Sequence, residues 1–140
     1  MKSIRVANGQ GFWGDSIDAP VNLINYGNID YLTLDYLAEV TMSIMQRQKK
    51  KDPENAGYAT DFVKLIDLTI HKIIKNNIKI IANAGGVNPE ACRRELLKIA
   101  KKNNTNLKVA IVTGDDIYND IDNLIDSGQN FKNMDTDKDI

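Results

Sequence analysis

Apolar residues recur in four short runs along the chain, at residues 4–7, 31–34, 78–82 and 107–112. The last two runs read IKIIA and LKVAIV, and each is interrupted by a single lysine. Strands of this composition are typical of a parallel sheet whose two faces are both covered, because neither face can be left in water. The runs therefore predict four parallel β-strands.

The segments between these runs carry apolar residues at helical spacing. They predict five helices, with the first near residues 18–26, the second over residues 36–51 and the last over residues 116–126. The third begins behind Thr60 or Asp61. The fourth has Asn88 as its cap and Pro89 at its first position, where proline loses no needed hydrogen bond.

The resulting order is β-α-β-α-α-β-α-β-α, which predicts an α/β fold with right-handed crossovers. We expect an open, doubly wound, Rossmann-like and mostly parallel sheet of about four strands, with helices on both faces. Half of a closed barrel is the alternative, but 140 residues cannot supply the other half. Residues 1–128 form a single domain in this interpretation, and residues 129–140 form a tail or a truncated end.

Composition narrows the class of partner. The chain has 18 basic and 19 acidic residues and a net charge of -1, which argues against nucleic acid or an anionic membrane as partner. No apolar run approaches the roughly 18 residues of a spanning helix, and the N-terminus lacks the apolar core of a signal peptide. The single cysteine, Cys92, cannot form an internal disulfide. A cytoplasmic location is therefore expected.

Most of the unusual residues follow the predicted strands. The four loops are NGQGFWGD at residues 8–15, DYLAE at 35–39, NAGGVNP at 83–89 and TGDD at 113–116. In open α/β sheets, ligands bind outside the carboxyl ends of the strands. The sequence therefore predicts a small-molecule site at this edge.

The NAGGVNP loop suggests how an anion would be held. Gly85 and Gly86 allow close approach of the backbone, and the helix behind Asn88 offers free N–H groups and a positive dipole end. A phosphate, a carboxylate or a thioester oxygen fits such a place. The alternative is that both glycines serve only the tight turn. The loop matches neither the dinucleotide fingerprint nor the P-loop.

Carboxylates supply a second signal. Asp15, Asp35, Glu39, Asp115 and Asp116 all lie in these loops or in the first helical turn behind them. Several of them together can bind a divalent cation or act as general acid and base. For Glu39 and Asp116 the alternative is ordinary capping of a helix. The cofactor stays unassigned, with a divalent cation as one candidate.

Other reactive side chains give weaker signals. Phe12, Trp13 and Tyr36, with Tyr58 as a further candidate, are interpreted as an apolar wall around a ligand. The alternative is that Phe12 and Trp13 form a plug that packs the loop down. His71 lies beside Asp67 at i, i+4 spacing and is interpreted as part of a surface pair. Cys92 is interpreted as a core thiol. No serine or threonine occurs in a hydrolase motif.

The strand-end segments resemble the N-terminal part of the acyclic terpene utilisation (AtuA-like) family. The matching stretches are RVANGQGFWGDSIDAP, GNIDYLTLDYLAEVTMSIMQRQ, DPENAGYATDF, IIANAGGVNPEAC, VAIVTGDD and GQNFKNMDT. The resemblance implies a role in the catabolism of acyclic terpenoids such as citronellol and geraniol, in pathways with acyl-CoA intermediates. It also implies that further strand-end motifs follow in longer members, so that this chain corresponds to their leading half.

Two hypotheses follow. In the first, the chain is an enzyme domain that binds a small carboxylated or CoA-linked substrate, with Asp15, Asp35 and Asp115 as catalytic groups. Its substrate-binding residues are Asn8, Gly9, Gln10, Gly11, Trp13, Tyr36, Asn83, Gly85, Gly86, Asn88 and Gly114. In the second, it is a non-catalytic subunit or ligand-binding module that works only with a partner supplying the C-terminal half. A homo-oligomer is a further candidate for the assembly.

Overall fold

The computed structural model describes residues 3–139 and contains one parallel sheet. Its strands are β1 (Val6–Gln10), β2 (Tyr31–Leu34) and β3 (Lys79–Ala82), in the spatial order β1-β2-β3. Ala7, Leu32 and Ile80 are register partners across the three strands. The predicted α/β class and the parallel arrangement are both confirmed.

All five predicted helices are present. They are α1 (Asp18–Tyr26), α2 (Glu39–Lys51), α3 (Thr60–Asn76), α4 (Pro89–Lys102) and α5 (Ile121–Asp126), with a 3-10 turn at Tyr118–Asp120. The second helix begins later than predicted, because the Thr41 hydroxyl binds the N–H and the carbonyl of Ala38 and fixes the helix start there. The start of α4 at Asn88 and Pro89 is as predicted.

The hydrophobic core lies between one face of the sheet and the helices α1 and α3. Leu32 and Leu34 of β2 are 0% and 3% exposed, and Leu65 and Ile70 of α3 are both fully buried. Gly9 of β1 packs directly under α1, where an added Cβ would lie 2.9 Å from Cβ of Pro20. The core therefore packs against one face of the sheet.

The prediction of helices on both faces of the sheet is wrong for the described residues. Val6 and Ile81 point away from the core and are 59% and 60% exposed. Crossovers between parallel strands are nearly always right-handed, so two steps in the same direction place both connecting segments on one face. A doubly wound sheet needs a reversal of strand order, and β1-β2-β3 contains none.

The predicted fourth strand is also wrong. Residues 107–112 alternate between half-buried and exposed side chains, as a strand does, but they belong to no sheet. Leu107 and Val109 are partly buried against the core, so their side chains are shielded from water without any strand pairing. The last helix begins at Ile121 instead of Asp116, after the 3-10 turn.

Candidate functional site

The carboxyl ends of all three strands are joined by one hydrogen-bond network. The N–H of Asp35 donates to the carbonyl of Gln10 at 3.1 Å, which connects the end of β2 to that of β1. Asn83, directly after β3, donates from Nδ2 to Asp35 Oδ1 at 2.7 Å and accepts from the Tyr36 N–H at 2.7 Å. Asp35 and Asn83 are exposed. The structure therefore brings together residues 35 and 83, as the sequence predicts.

The Asp35 carboxylate is held in its ionised form. The hydrogen bond from Asn83, followed by that from the Leu37 N–H, lowers its pKa below the ordinary value. A carboxyl group with a lowered pKa is a weaker base, and at neutral pH it carries no proton to donate. Asp35 is thus better suited to accept hydrogen bonds or to contact a cation than to transfer a proton.

Asp15 organises the loop that follows β1. Its carboxylate accepts from the Gly11 N–H at 3.2 Å and from the Ser16 N–H at 2.7 Å. The loop leaves Phe12 59% exposed. Trp13 is half-buried, and its indole N–H donates to Asp61 of α3 at 2.9 Å. Trp13 therefore anchors the loop, while Phe12 offers an aromatic surface.

Several expected ligand contacts are used inside the fold. Asn8, Gly9 and Gln10 lie within β1 and not in the loop. Asn8 lies on the open face of the sheet, the face that points away from the core, and its side-chain amide lies 3.0 Å from the Thr33 hydroxyl. Gln10 is 4% exposed and donates to the carbonyl of Phe12. Gly9 packs under α1, so each of the three residues contacts another part of the fold.

Tyr36 lies in the core. It is 1% exposed, and its ring meets that of Phe62 edge to face with centroids 5.9 Å apart. Burial raises the pKa of the Tyr36 hydroxyl. In this conformation the ring offers no surface to a ligand.

The NAGGVNP loop packs tightly against its neighbours. A Cβ on Gly86 would meet Met45 Sδ and lie 2.8 Å from the carbonyl of Gly57, and a Cβ on Gly85 would lie 2.9 Å from Cβ of Pro89. The N–H groups of Gly86 and Val87 donate to carbonyls of the protein. The two glycines therefore serve close packing in this structure.

Asn88 closes the N-terminus of α4. Its side chain accepts from the Ala91 N–H at 3.3 Å and donates to the carbonyls of Pro53 and Ala56 at 2.9 and 2.8 Å. Pro89 has no N–H. Few donors remain at this helix end for an anion.

The TGDD loop forms one side of a separate groove between α2 and the start of α4. Asp115 and Asp116 line this groove together with Gly114. Lys49 of α2 donates to the carbonyl of Val87 at 2.7 Å and lies 3.6 Å from Asp116 Oδ2. Lys49 carries no signal in the sequence, because it is one of three successive lysines at the end of a helix and nothing distinguishes it from the other two.

The carboxylates do not gather into a metal centre. Within residues 3–139, no three His, Cys, Asp or Glu side chains are close enough to hold one ion. Asp15 and Asp35 belong to the network at the strand ends, and Asp115 belongs to the groove. The described residues therefore contain no preassembled metal centre.

The single cysteine and the single histidine lie in different surroundings. Cys92 is 4% exposed, and burial raises the pKa of its thiol to about 12. His71 is exposed on α3, where Asp67 binds Lys102 and Asn103.

Together, these features define an α/β protein with a one-sided parallel sheet and a polar network at the strand ends. Residues 4–140 match the family described as "Acyclic terpene utilisation family protein AtuA". The chain belongs to this family, and the resemblance seen in the sequence is confirmed. Neither a curated protein nor a solved structure matches the chain. In the described part of the chain, no helix has the length and apolar character needed to cross a bilayer.

Proposed function

We propose that this chain binds a small-molecule substrate of acyclic terpenoid catabolism, carboxylated or CoA-linked, at the carboxyl ends of its strands. The family membership supports the pathway. The observation that carries the location is the exposed Asp35–Asn83 pair, which joins the ends of neighbouring strands. A cytoplasmic location is part of the proposal, and the unpaired Cys92 thiol agrees with it.

Asp35 is the central contact in this proposal. Hydrogen bonds from Asn83 and the Leu37 N–H both reach its Oδ1 atom, so Oδ2 can accept from a hydroxyl or amide of the ligand. The carboxylate is already positioned before a ligand arrives, which reduces the ordering cost of binding. Asp15 and the exposed Phe12 ring complete the polar and apolar walls.

A thermal-shift screen of the purified chain tests this proposal. The probes are acyl-CoA thioesters, terpenoid acids, nucleotides and divalent cations. A ligand at 100 times its dissociation constant stabilises by about 2.7 kcal/mol, which is easily measured. We expect a terpenoid ligand to shift the melting temperature of the wild type, and Asp35→Asn to weaken its affinity at least tenfold.

Glu54→Gln is the matched control, because Glu54 is an exposed carboxylate outside the site. Its ligand affinity should equal that of the wild type. If Asp35→Asn and Asp15→Asn both bind the ligand as the wild type does, the site is not at the strand ends.

A second candidate is a non-catalytic module that acts only with a partner. The open face of the sheet favours this candidate, since Val6 and Ile81 are more than half exposed on it. Large exposed apolar surface often marks an interaction site. The partner would be a second copy or a protein that supplies the C-terminal half. Light scattering and co-purification test this candidate, and a strictly monomeric chain without a partner would contradict it.

A further inference from the structure

Charge is distributed unevenly along the chain, although the net charge is only -1. Residues 113–139, here called the acidic segment, contain eight aspartates and two lysines and carry a net charge of -6. Helices α3 and α4 together contain eight basic and four acidic residues and carry a net charge of +4. The near-neutral total is therefore the sum of a basic and an acidic part.

The four carboxylates of α3 and α4 are all engaged within the fold. Asp61 accepts the indole N–H of Trp13. The other three form ion pairs with residues of α4: Asp67 with Lys102 at 2.8 Å, Glu95 with Lys98 at 2.6 Å, and Glu90 with Arg93 at 3.9 Å. Among the described residues, five exposed cations of the two helices form no ion pair, and together they are here called the basic surface: Lys64, Lys72, Lys75, Arg94 and Lys101.

The basic surface is the outer side of the helix layer. Its members on α3 recur at helical spacing opposite the buried face of that helix, and Leu68 lies among them with 63% exposure. On α4, Arg94 and Lys101 are seven residues apart and so share one face of the helix. The ion pair between Asp67 and Lys102 connects the two helices. The surface therefore combines positive charge with an exposed leucine.

Most carboxylates of the acidic segment have no cation beside them. Of its eight aspartates, only Asp116 and Asp137 form ion pairs within residues 3–139, with Lys49 and Lys132. The other six therefore remain available to a cation from outside the chain.

Helix α5 and the turn before it present three of these carboxylates. Asp120, Asp122 and Asp126 are exposed, and Ile125 among them is 43% exposed. This arrangement is complementary to the basic surface, where lysines surround Leu68. Opposite charges fix the register of such a contact, and the apolar pair excludes water from its centre.

The two complementary surfaces are not paired within one chain. The acidic segment is attached to α2, where Asp116 pairs with Lys49 at 3.6 Å and the Tyr118 ring lies 5.1 Å from the ammonium of Lys50. In the described part of the chain, no ion pair or side-chain hydrogen bond joins this segment to α3 or α4. A second copy of the chain supplies the matching surface for each.

We infer that the basic surface of α3 and α4 binds the acidic segment of a second copy, so that the chain self-associates through opposite charges. Each copy carries both surfaces, and a two-fold dimer pairs both sets at once. The inference goes beyond the proposed small-molecule site. It also uses a surface other than the open face of the sheet.

Sedimentation velocity of the purified chain over a series of protein concentrations tests the inference. We expect reversible self-association at low ionic strength. Its dissociation constant should rise at least tenfold when NaCl is raised from about 50 to about 500 mM, because salt screens exposed charges.

A basic-surface variant shows whether these lysines cause the association. The triple substitution Lys64→Gln, Lys72→Gln and Lys75→Gln should raise the dissociation constant at least tenfold at low salt. A control variant removes the same amount of charge from exposed positions outside both surfaces, and it should keep the dissociation constant of the wild type within twofold: Arg47→Gln, Lys51→Gln and Lys108→Gln.

An acidic-segment variant and a mixing experiment separate contacts between chains from contacts within one chain. The triple substitution Asp120→Asn, Asp122→Asn and Asp126→Asn should weaken self-association as much as the basic-surface variant does. An equimolar mixture of the two variants should associate more tightly than either alone, because the intact acidic segment of one meets the intact basic surface of the other.

Four results would overturn the inference. The first is a chain that stays monomeric at low salt up to its solubility, and the second is association that high salt does not weaken. The third is a mixture that associates no better than its components. The fourth is association that both charge variants retain and that Val6→Ser with Ile81→Ser abolishes, because it would run through the open face of the sheet. Ligand binding that still depends on Asp35 in any of these cases would leave the proposed function standing.

Discussion

The chain contains a packed part, residues 3–102, and an exposed segment, residues 103–139. Among the described residues, every buried one lies between Gly9 and Ala100, and none occurs in the exposed segment. Both parts have apolar runs, glycines and acidic loops in their sequence. The difference shows that these patterns define structure only where other elements pack against them.

The glycines make the contrast concrete. Gly86 has a positive φ of 55° and would clash with Met45 and with Gly57 if it carried a Cβ. Gly114 also has a positive φ, of 118°, but no atom lies within 4 Å of the place where its Cβ would be. Neighbouring atoms leave no room for a side chain at Gly86. At Gly114 only the positive φ of the backbone favours glycine.

Gly86→Ala should cause the largest loss of stability. Overpacking costs roughly 1–3 kcal/mol and a left-handed backbone costs an L-residue about 1–2 kcal/mol, so we expect a loss of about 4 kcal/mol. Urea denaturation measures it. Gly114→Ala is the matched control and should cost about 1 kcal/mol or less, because the unpacked segment can adjust its backbone. Equal losses in the two variants would remove the distinction between the two parts.

Asn88→Ala should have the next largest effect. It removes the cap of α4 and leaves the carbonyls of Pro53 and Ala56 without their donor, for an expected loss of about 2 kcal/mol. Asn88→Asp separates these contributions, since it keeps the capping oxygen and loses the two donated bonds. If Asn88→Ala were as stable as the wild type, the loop would not depend on this side chain.

Trp13→Phe should cost about 1 kcal/mol, because it removes the indole donor to Asp61 and keeps an aromatic ring. The affected contact joins the loop after β1 to the packed part. Thermal denaturation measures the loss, and Asp61→Asn in the Trp13→Phe background should add little if this bond is the relevant one. Large, independent losses in the two variants would contradict the assignment.

The sequence predicted the helices and β2 well, because local signals decide them. Asn88 and Pro89 define the start of α4, and residues 31–34 are the whole of β2. The run LKVAIV has the same local signal but forms no strand, because a strand also needs a partner. Strand pairing depends on distant residues and cannot be determined from one run.

The sequence predicts the arrangement of the candidate site only where that arrangement follows from the order of the strands. Residues 35 and 83 follow parallel strands, so their proximity follows from the fold class. The burial of Tyr36 against Phe62 depends on how α3 packs, which the loop sequence does not reveal. The pairing of Lys49 with Val87 likewise depends on where α2 lies over the NAGGVNP loop.

Asn83→Ala should raise the pKa of Asp35 toward its ordinary value of 3.8, because the hydrogen bond from Asn83 is the largest cause of its lowering. A carboxyl group with a lowered pKa in the folded state stabilises the protein above its unfolded pKa. This contribution is lost as the pH falls from 3.8 through the pKa of the folded state. The free energies of unfolding of the variant and the wild type should therefore differ least at acidic pH. An NMR titration of the carboxyl carbon measures the pKa, and an unchanged value would contradict the role of Asn83.

Lys50→Gln should have the smallest effect on stability and a clear effect on the exposed segment. Lys50 lies 5.1 Å from the centre of the Tyr118 ring, and with the Lys49–Asp116 ion pair it connects this segment to α2. An exposed cation–π contact contributes about 0.5–1 kcal/mol at most, so global unfolding should change by no more than this amount. Amide hydrogen exchange of residues 113–121 should nevertheless become faster, since these residues contain no buried side chain to hold them. If amide hydrogen exchange is unchanged in Lys50→Gln, other contacts hold residues 113–121. These residues would then belong to the packed part.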